Sequence, residues 1–144
     1  MPTGRLILGA ALLAGLCTRS NAMDVEVIAK GLRNQHGSVL VALFLEPRGF
    51  PDQGELAAQR IEVPIDGSEA RARFTDVPPG QALAVGVLHD EDGDKRMATG
   101  RFGIPKEGFG VSKNPRIRFG PPRFEAARLV PVPGQPIIID VRYF

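Results

Sequence analysis

Short runs of alternating apolar and polar residues dominate this chain and constrain its fold more than any other feature. Alternation with a period of two is typical of half-buried β-strands. The clearest runs lie at 24–30, 60–65, 70–74, 82–87 and 137–143. A further run at 39–45 is apolar on both faces, which suits a central strand, and a weaker run covers 127–132. The pattern predicts about seven short strands.

Turn-forming residues separate these runs. Asp66-Gly67 predicts a hairpin turn, and Pro78-Pro79-Gly80 and Pro133-Gly134 mark further breaks. Pro64 has no N–H for a strand ladder, so its strand should lie at an edge or end there. Only 52–58 suggests a helix, and a short one. We therefore expect an all-β fold: a single antiparallel β-sandwich, immunoglobulin-like or prealbumin-like.

The first 22 residues have the three parts of a secretory signal peptide. Arg5 provides the positive charge, Leu6 to Leu16 form the apolar run, and Ser20-Asn21-Ala22 offers small residues before a cleavage site. The apolar run is shorter than the roughly 20 residues that span a bilayer. We expect cleavage after this triplet, a periplasmic or secreted location, and one domain at 23–144 without a transmembrane segment. An uncleaved anchor and lipid attachment at Cys17 remain as alternatives.

Removal of the signal changes the charge of the protein. The chain has 18 basic and 16 acidic residues, and two of the basic ones, Arg5 and Arg19, lie in the signal. The exported part is therefore neutral, and its composition gives no reason to expect nucleic-acid binding. The only cysteine, Cys17, also lies in the signal. Without disulfides the domain must rely on its core, and about 120 residues suffice for one.

The alternation stops over 90–123, where glycine, proline, phenylalanine and charge replace it. Loops longer than about 15 residues without structure of their own are uncommon and tend to be functional. Phenylalanines favour order in this segment, because disordered regions contain few aromatics. We therefore predict one long ordered loop. It is cationic, since Lys95 to Arg128 includes 9 basic residues and only two acids.

Phenylalanines alternate with the basic residues of this loop. They are Phe102, Phe109, Phe119 and Phe124. In one interpretation the rings pack the loop onto the sandwich and the charges neutralise the acidic body. In the other, arginines beside aromatics bind an anionic envelope component or another envelope protein. The second interpretation names five candidate ligand-binding residues: His89, Arg101, Phe109, Arg116 and Arg118.

Three aspartates at the start of the loop have the spacing that opens a calcium loop. Asp90, Asp92 and Asp94 stand at i, i+2 and i+4. The full twelve-residue motif fails, because its sixth residue would be Lys95 rather than glycine and its twelfth Arg101 rather than glutamate. A calcium site of another geometry and a solvated acidic turn are both open. Calcium is the only cofactor that the sequence suggests.

His89 continues the inward-facing positions of the preceding strand. It should lie at the rim of that strand, either holding the loop or acting in a site. A histidine beside aspartates resembles part of a hydrolase triad or a metal site. Ser112 has no glycine-framed nucleophile turn around it, and zinc would lack ligands. An enzyme is therefore less favoured than a binding protein.

Several motifs in order resemble the domain of unknown function 2141 family of exported bacterial proteins. They are Pro78-Pro79-Gly80, His89 to Asp94, Gly103-Ile104-Pro105, Glu107-Gly108-Phe109-Gly110, Ser112, Asn114, Phe119-Gly120-Pro121-Pro122 and Phe124 to Ala127. The resemblance covers nearly the whole exported chain. It implies a small exported sandwich, and no activity. Where the family commonly has an acid and an asparagine, this chain has Ala98 and Gly100.

The sequence suggests three functions, of which the first is preferred. The first is a non-catalytic binding or envelope-associated domain, which predicts a basic aromatic surface on the loop. The second is a structural or adhesive module that binds calcium at the acidic turn. The third is a hydrolase-type enzyme centred on His89, Asp90 and Asp92, which predicts His89 exposed in a cleft beside carboxylates.

Overall fold

The structure is a computed structural model that describes residues 21–97, 105–118 and 120–144. These residues contain seven strands. The strands are β1 (Met23–Lys30), β2 (Ser38–Phe44), β3 (Gln59–Val63), β4 (Glu69–Val77), β5 (Ala84–Asp90), β6 (Phe109–Val111) and β7 (Ile137–Asp140). A 3-10 helix covers Gly54–Leu56, within the expected 52–58, and α1 covers Phe124–Ala127. No helix in the described residues is long and apolar enough to cross a membrane. The expected signal lies almost wholly outside the described residues.

The strands form two sheets, and the expected all-β sandwich is confirmed. One sheet has the order β4-β1-β7, and the other has the order β3-β2-β5-β6. The strand ladders are antiparallel except for β1 and β7, which run parallel. The prediction that all neighbouring strands are antiparallel was therefore wrong for β1 and β7. Parallel neighbours need a long crossover, and here the chain from β2 to β6 provides it.

The core follows the alternation of the sequence. In β4, Ala70, Ala72 and Phe74 are buried, while Arg71 and Arg73 are exposed. These apolar side chains join those of the other strands in one core cluster between the sheets. Burying a side chain of this kind contributes on the order of 1.5–3 kcal/mol.

β2 is buried on both faces, as a central strand should be. Its outer face forms a second apolar cluster, in which Ala42 and Phe44 contact α1 through Phe124 and Ala127. The ring of Phe50 lies edge-on to both Phe44 and Phe124, with centroids 5.3 and 5.8 Å away. α1 thus covers the outside of the four-stranded sheet.

The turn at Asp66-Gly67 forms, but it does not close a hairpin. Asp66 and Glu69 exchange main-chain hydrogen bonds of 2.8 and 3.0 Å. β3 and β4 nevertheless belong to different sheets. β3 is an edge strand that ends directly before Pro64, as predicted, because proline cannot donate to a ladder. The chain then crosses to the other sheet.

The predicted loop over 90–123 contains one strand that the sequence pattern did not reveal. β6 pairs with β5, with Phe109 opposite Leu88, and Phe109 also bridges to Arg142 beyond β7. A Cβ on Gly110 would lie 2.7 Å from Ile139 Cγ2, so glycine permits the close contact of β6 with β7. The two sheets meet along this seam.

The weak run at 127–132 is not a strand. Its first residue ends α1, and Leu129 makes only an isolated bridge to Leu83. Pro131 and Pro133 lack the N–H groups that a ladder requires. The predicted number of strands was right, but β6 takes the place of this run.

Candidate functional site

The acidic turn begins at the buried end of β5. In that strand His89 lies opposite Val39 and Asp90 lies opposite Ser38. Both His89 and Asp90 are 0% exposed. Carboxylates are rarely buried unless they form ion pairs, accept hydrogen bonds or bind a metal, so we expect Asp90 to have such a partner.

Main-chain N–H groups supply the first partners of the carboxylates. Asp90 accepts hydrogen bonds from Gly93 at 3.1 Å and from Lys95 at 2.9 Å, one on each oxygen. The exposed carboxylates follow the same pattern, with Asp92 accepting from Asp94 at 3.1 Å and Asp94 from Arg96 at 2.8 Å. The turn therefore wraps around its own carboxylates and fixes their positions.

Glu107 brings a fourth carboxylate to this turn from the segment before β6. Its side chain is only 4% exposed. Its Oε1 accepts hydrogen bonds from the main-chain N–H groups of Glu91 at 3.0 Å and Asp92 at 3.4 Å. Oxygen atoms of Asp90, Asp92, Asp94 and Glu107 all lie within 4.8 Å of one another. We call these four residues the carboxylate cluster.

The acidic turn departs from the calcium-loop motif at the positions where the motif has its glycine and its glutamate. Lys95 takes the position where glycine is expected, yet it adopts the left-handed conformation with φ of 62°. The glutamate that lies beside the three aspartates is Glu107, which stands outside the motif. Arg101, at that twelfth position, lies outside the described residues. Sequence reasoning missed Glu107, whose only signal is that it is an acid in a cationic segment.

The pKa values of Asp90 and Asp92 shift in opposite directions. Burial raises the pKa of Asp90, and the neighbouring carboxyl of Asp92 raises it further against the lowering effect of two main-chain N–H groups. The hydrogen bond from the Asp94 N–H leads the causes that lower the pKa of Asp92. Such divergence is typical of carboxylates that share a small volume.

Nearby cations are engaged elsewhere. The Lys95 ammonium pairs with Glu62, and the Arg33 guanidinium pairs with Glu91 at 2.6 Å. In the part of the chain that the structure describes, no ion pair joins a basic side chain to Asp90, Asp92 or Asp94. A solvated acidic turn would need a neighbouring cation to neutralise it, and the Lys95 ammonium group does not do so because it pairs with Glu62.

His89 is held by two hydrogen bonds. Its Nε2–H donates to the carbonyl of His36 at 2.8 Å, so its Nδ1 accepts from the hydroxyl of Tyr143 at 2.7 Å. That hydroxyl accepts in turn from the Arg33 N–H at 3.1 Å. The exposed imidazole that the hydrolase hypothesis requires is not present. Ser112 is likewise buried, and its hydroxyl donates to the carbonyl of Ala127 at 2.6 Å.

Arg33 holds this end of the sandwich together. Its guanidinium donates twice to Glu91 Oε1, at 2.9 and 2.6 Å, and once to the Lys106 carbonyl at 3.1 Å. It also lies over the ring of Tyr143, 4.5 Å from the centroid. Burial alone would raise the pKa of Glu91, but the hydrogen bonds from Asn34 and Arg33 lower it. The contacts position both segments that carry the carboxylate cluster.

The other predicted ligand-binding residues are spread over the surface. Phe109 is half-buried and stacks on Phe144, with ring centroids 5.5 Å apart. Arg116 and Arg118 are exposed, and Phe124, the first residue of α1, is buried. Phe102 and Phe119 lie outside the described residues. The structure therefore brings the aspartates together, whereas no hydrogen bond or ring contact joins the described candidates Phe109, Arg116 and Arg118 to one another.

Comparison with known proteins assigns the chain to a family. Residues 27–135 match the family model described as "Uncharacterized protein conserved in bacteria (DUF2141)". This match includes the carboxylate cluster and all strands except the start of β1 and the whole of β7. Curated proteins and solved structures gave no match to the chain. The protein therefore belongs to the DUF2141 family.

Proposed function

We propose that this protein is an exported, non-catalytic binding domain whose carboxylate cluster holds a calcium ion. The observation that carries the proposal is the convergence of Asp90, Asp92, Asp94 and Glu107 within 4.8 Å. Ionised carboxylates this close repel one another, and a divalent cation is the simplest agent to offset that repulsion. Calcium would also tie the segment before β6 to the end of β5.

The donor atoms favour calcium over other metals. All four side chains offer carboxylate oxygens, the ligands that hard cations prefer. Zinc would use nitrogen or sulfur ligands, but both ring nitrogens of His89 are already hydrogen-bonded. Magnesium usually takes one or two carboxylates and keeps its waters, whereas calcium takes six to eight oxygens in a flexible arrangement.

The local structure supports this proposal, because the carboxylates are already oriented. Main-chain N–H groups hold Asp90 from two sides, and Glu107 is held by the turn that it approaches. Oriented ligands reduce the entropy that binding would cost. Calcium-binding modules outside the cell typically have dissociation constants of about 10⁻⁴–10⁻³ M.

The hydrolase hypothesis has less support. His89 would need to expose a ring nitrogen, and both nitrogens make hydrogen bonds inside the protein. Ser112 gives its hydroxyl to Ala127 and accepts from the Val85 N–H at 3.0 Å. These contacts support structural roles for both residues.

Calorimetric titration tests the proposal. The purified protein, freed of metal with a chelator, should bind about one calcium ion and bind magnesium more weakly. Glu107→Gln should weaken calcium binding at least about tenfold, because it removes one negative charge and one of the two carboxylate oxygens. Glu55→Gln, an exposed acid in the 3-10 helix, is the matched control and should bind as before. Equal binding by the two variants would contradict the proposal.

A further inference from the structure

A second feature of the molecule lies away from the carboxylate cluster, in the segment 113–128. Five basic residues in this segment are exposed: Lys113, Arg116, Arg118, Arg123 and Arg128. Glu125 is its only acid. We call this segment the basic loop. Phe119 lies outside the described residues, and the proposed surface does not include it.

The ends of the basic loop are pinned together. The hydroxyl of Ser112, directly before the loop, donates to the carbonyl of Ala127 at 2.6 Å. Asn114 binds the edge of β7, accepting from the Asp140 N–H at 2.9 Å and donating to the Ile138 carbonyl at 3.2 Å. At the other end, Phe124 is buried. A loop closed in this way resembles the compact surface loops that often carry function.

The charges of the basic loop make no ion pair within the described part of the chain. Among residues 21–97, 105–118 and 120–144, no ion pair includes one of its five basic side chains. On the three-stranded sheet, by contrast, Arg71 and Arg73 each face an acid. The expectation that loop and body neutralise each other therefore does not hold for these five residues.

Two exposed apolar side chains follow the basic loop closely in the sequence. Val130 is 52% exposed and Val132 is 53% exposed, and both follow closely after Arg128. Two clefts found in the described residues are lined by other parts of the chain, around Arg71 and around Leu56. Neither of these two clefts is lined by a residue of the basic loop.

We propose that the basic loop, together with Val130 and Val132, docks on an anionic phospholipid bilayer. Arginine matches phosphate groups with two parallel donors, which suits a surface of phosphate head groups. Exposed apolar residues beside basic ones are typical of surfaces that lie in the membrane interface. A soluble polyanion or an acidic protein would engage the charges but gain little from the two valines.

Vesicle sedimentation tests this proposal, with chelator present so that calcium binding plays no part. The protein should bind vesicles of phosphatidylglycerol and phosphatidylethanolamine, and release them at high salt, because salt screens surface charge. Each basic residue near an anionic bilayer contributes about a fivefold gain in partition. The variant Arg116→Gln/Arg118→Gln should therefore bind about 25-fold more weakly.

Controls separate the bilayer from other partners. The variant Arg71→Gln/Arg73→Gln removes as much charge from β4, where both arginines already pair with acids, and should bind vesicles as before. Replacing Val130 and Val132 by serine should weaken vesicle binding about threefold for each valine, and leave heparin binding unchanged. Absence of binding to the anionic vesicles at low salt, or binding to heparin alone, would overturn the proposal. Equal losses in both arginine variants would overturn it too.

Discussion

Glu107 Oε1 accepts a hydrogen bond from the main-chain N–H of Glu91 at 3.0 Å, and this contact joins two segments that lie 16 residues apart in the sequence. It brings the buried carboxylate of Glu107 against the acidic turn at the end of β5. The hydrogen bonds of Arg33 to Glu91 and to the Lys106 carbonyl hold the same two segments. The carboxylate cluster depends on this pairing as much as on the spacing of its aspartates.

Calcium should stabilise the protein by an amount that its affinity sets. At a calcium concentration about 10–100 times the dissociation constant, the free energy of unfolding should rise by about 1.4–2.7 kcal/mol. For a domain of this size that corresponds to a melting temperature about 5–10 °C higher. Differential scanning calorimetry with and without calcium measures the shift. A melting temperature that does not change would contradict calcium binding.

Replacing Asp92 by asparagine should raise the stability of the metal-free protein and reduce the stabilisation that calcium provides. The amide oxygen can still accept from the Asp94 N–H, which Asp92 now binds at 3.1 Å. Loss of the charge relieves repulsion in the metal-free cluster, so the melting temperature without calcium should rise slightly. The gain on adding calcium should fall sharply, because the cluster loses one negative charge and one carboxylate oxygen. A variant whose calcium-induced shift equals that of the unchanged protein would argue against the cluster as the site.

Part of the fold was predictable from the sequence, because alternation reports on burial. Ala70, Ala72 and Phe74 lie inward in β4, and Pro64 follows the end of an edge strand, as expected. β6 was not predictable, since it has three residues and its middle one is Gly110. Its pairing depends on close contact with β7, which only the assembled sheets define.

The candidate site divides in the same way. Local spacing identified Asp90, Asp92 and Asp94, because a turn brings residues two apart to the same side. Glu107 is brought in by strand pairing far along the chain, which no local motif records. The sequence correctly predicted His89 near the end of its strand. It did not predict the hydrogen-bond partners of the imidazole, which are Tyr143 and His36.

Stability without calcium should depend on pH through Asp90. Burial raises the pKa of Asp90 in the folded protein above its unfolded value of about 3.9. The folded state then binds more protons between these two pKa values, so this group makes the protein less stable as pH rises through that window. Calcium requires the ionised carboxylate, and its stabilising effect should grow across the same window. A calcium-induced shift in melting temperature that is equal at about pH 4 and pH 7 would contradict this coupling.

The buried hydrogen bonds of His89 should matter for stability. His89→Ala leaves the Tyr143 hydroxyl and the His36 carbonyl without their partner, and should cost about 2–4 kcal/mol of unfolding free energy. Tyr143→Phe removes one of these bonds and should cost about 1 kcal/mol. Urea denaturation measures both values. A cost below about 1 kcal/mol for His89→Ala would mean that the imidazole is not held as the structure describes.

Because β6 lies in close contact with β7, replacing Gly110 should destabilise the protein strongly. In Gly110→Ala the new Cβ would meet Ile139 Cγ2 at 2.7 Å and the Asp140 carbonyl oxygen at 2.8 Å. The strand must shift, at a cost of about 1–3 kcal/mol, and Glu107 should shift with it. Calcium binding should therefore weaken. Ala126→Gly, at an exposed position of α1, is the comparison, and it should leave calcium affinity unchanged.

Terbium luminescence tests the central claim most directly. Terbium replaces calcium at oxygen-ligand sites and emits when an aromatic residue beside it is excited. This chain has one tyrosine and no tryptophan, and the hydroxyl of that tyrosine, Tyr143, binds His89, next to Asp90. We expect emission on tyrosine excitation that calcium displaces and that Glu107→Gln greatly reduces. Tyr143→Phe should lose the emission but keep calcium-dependent stabilisation. No sensitised emission, or emission that Glu107→Gln leaves unchanged, would contradict a metal ion in the carboxylate cluster.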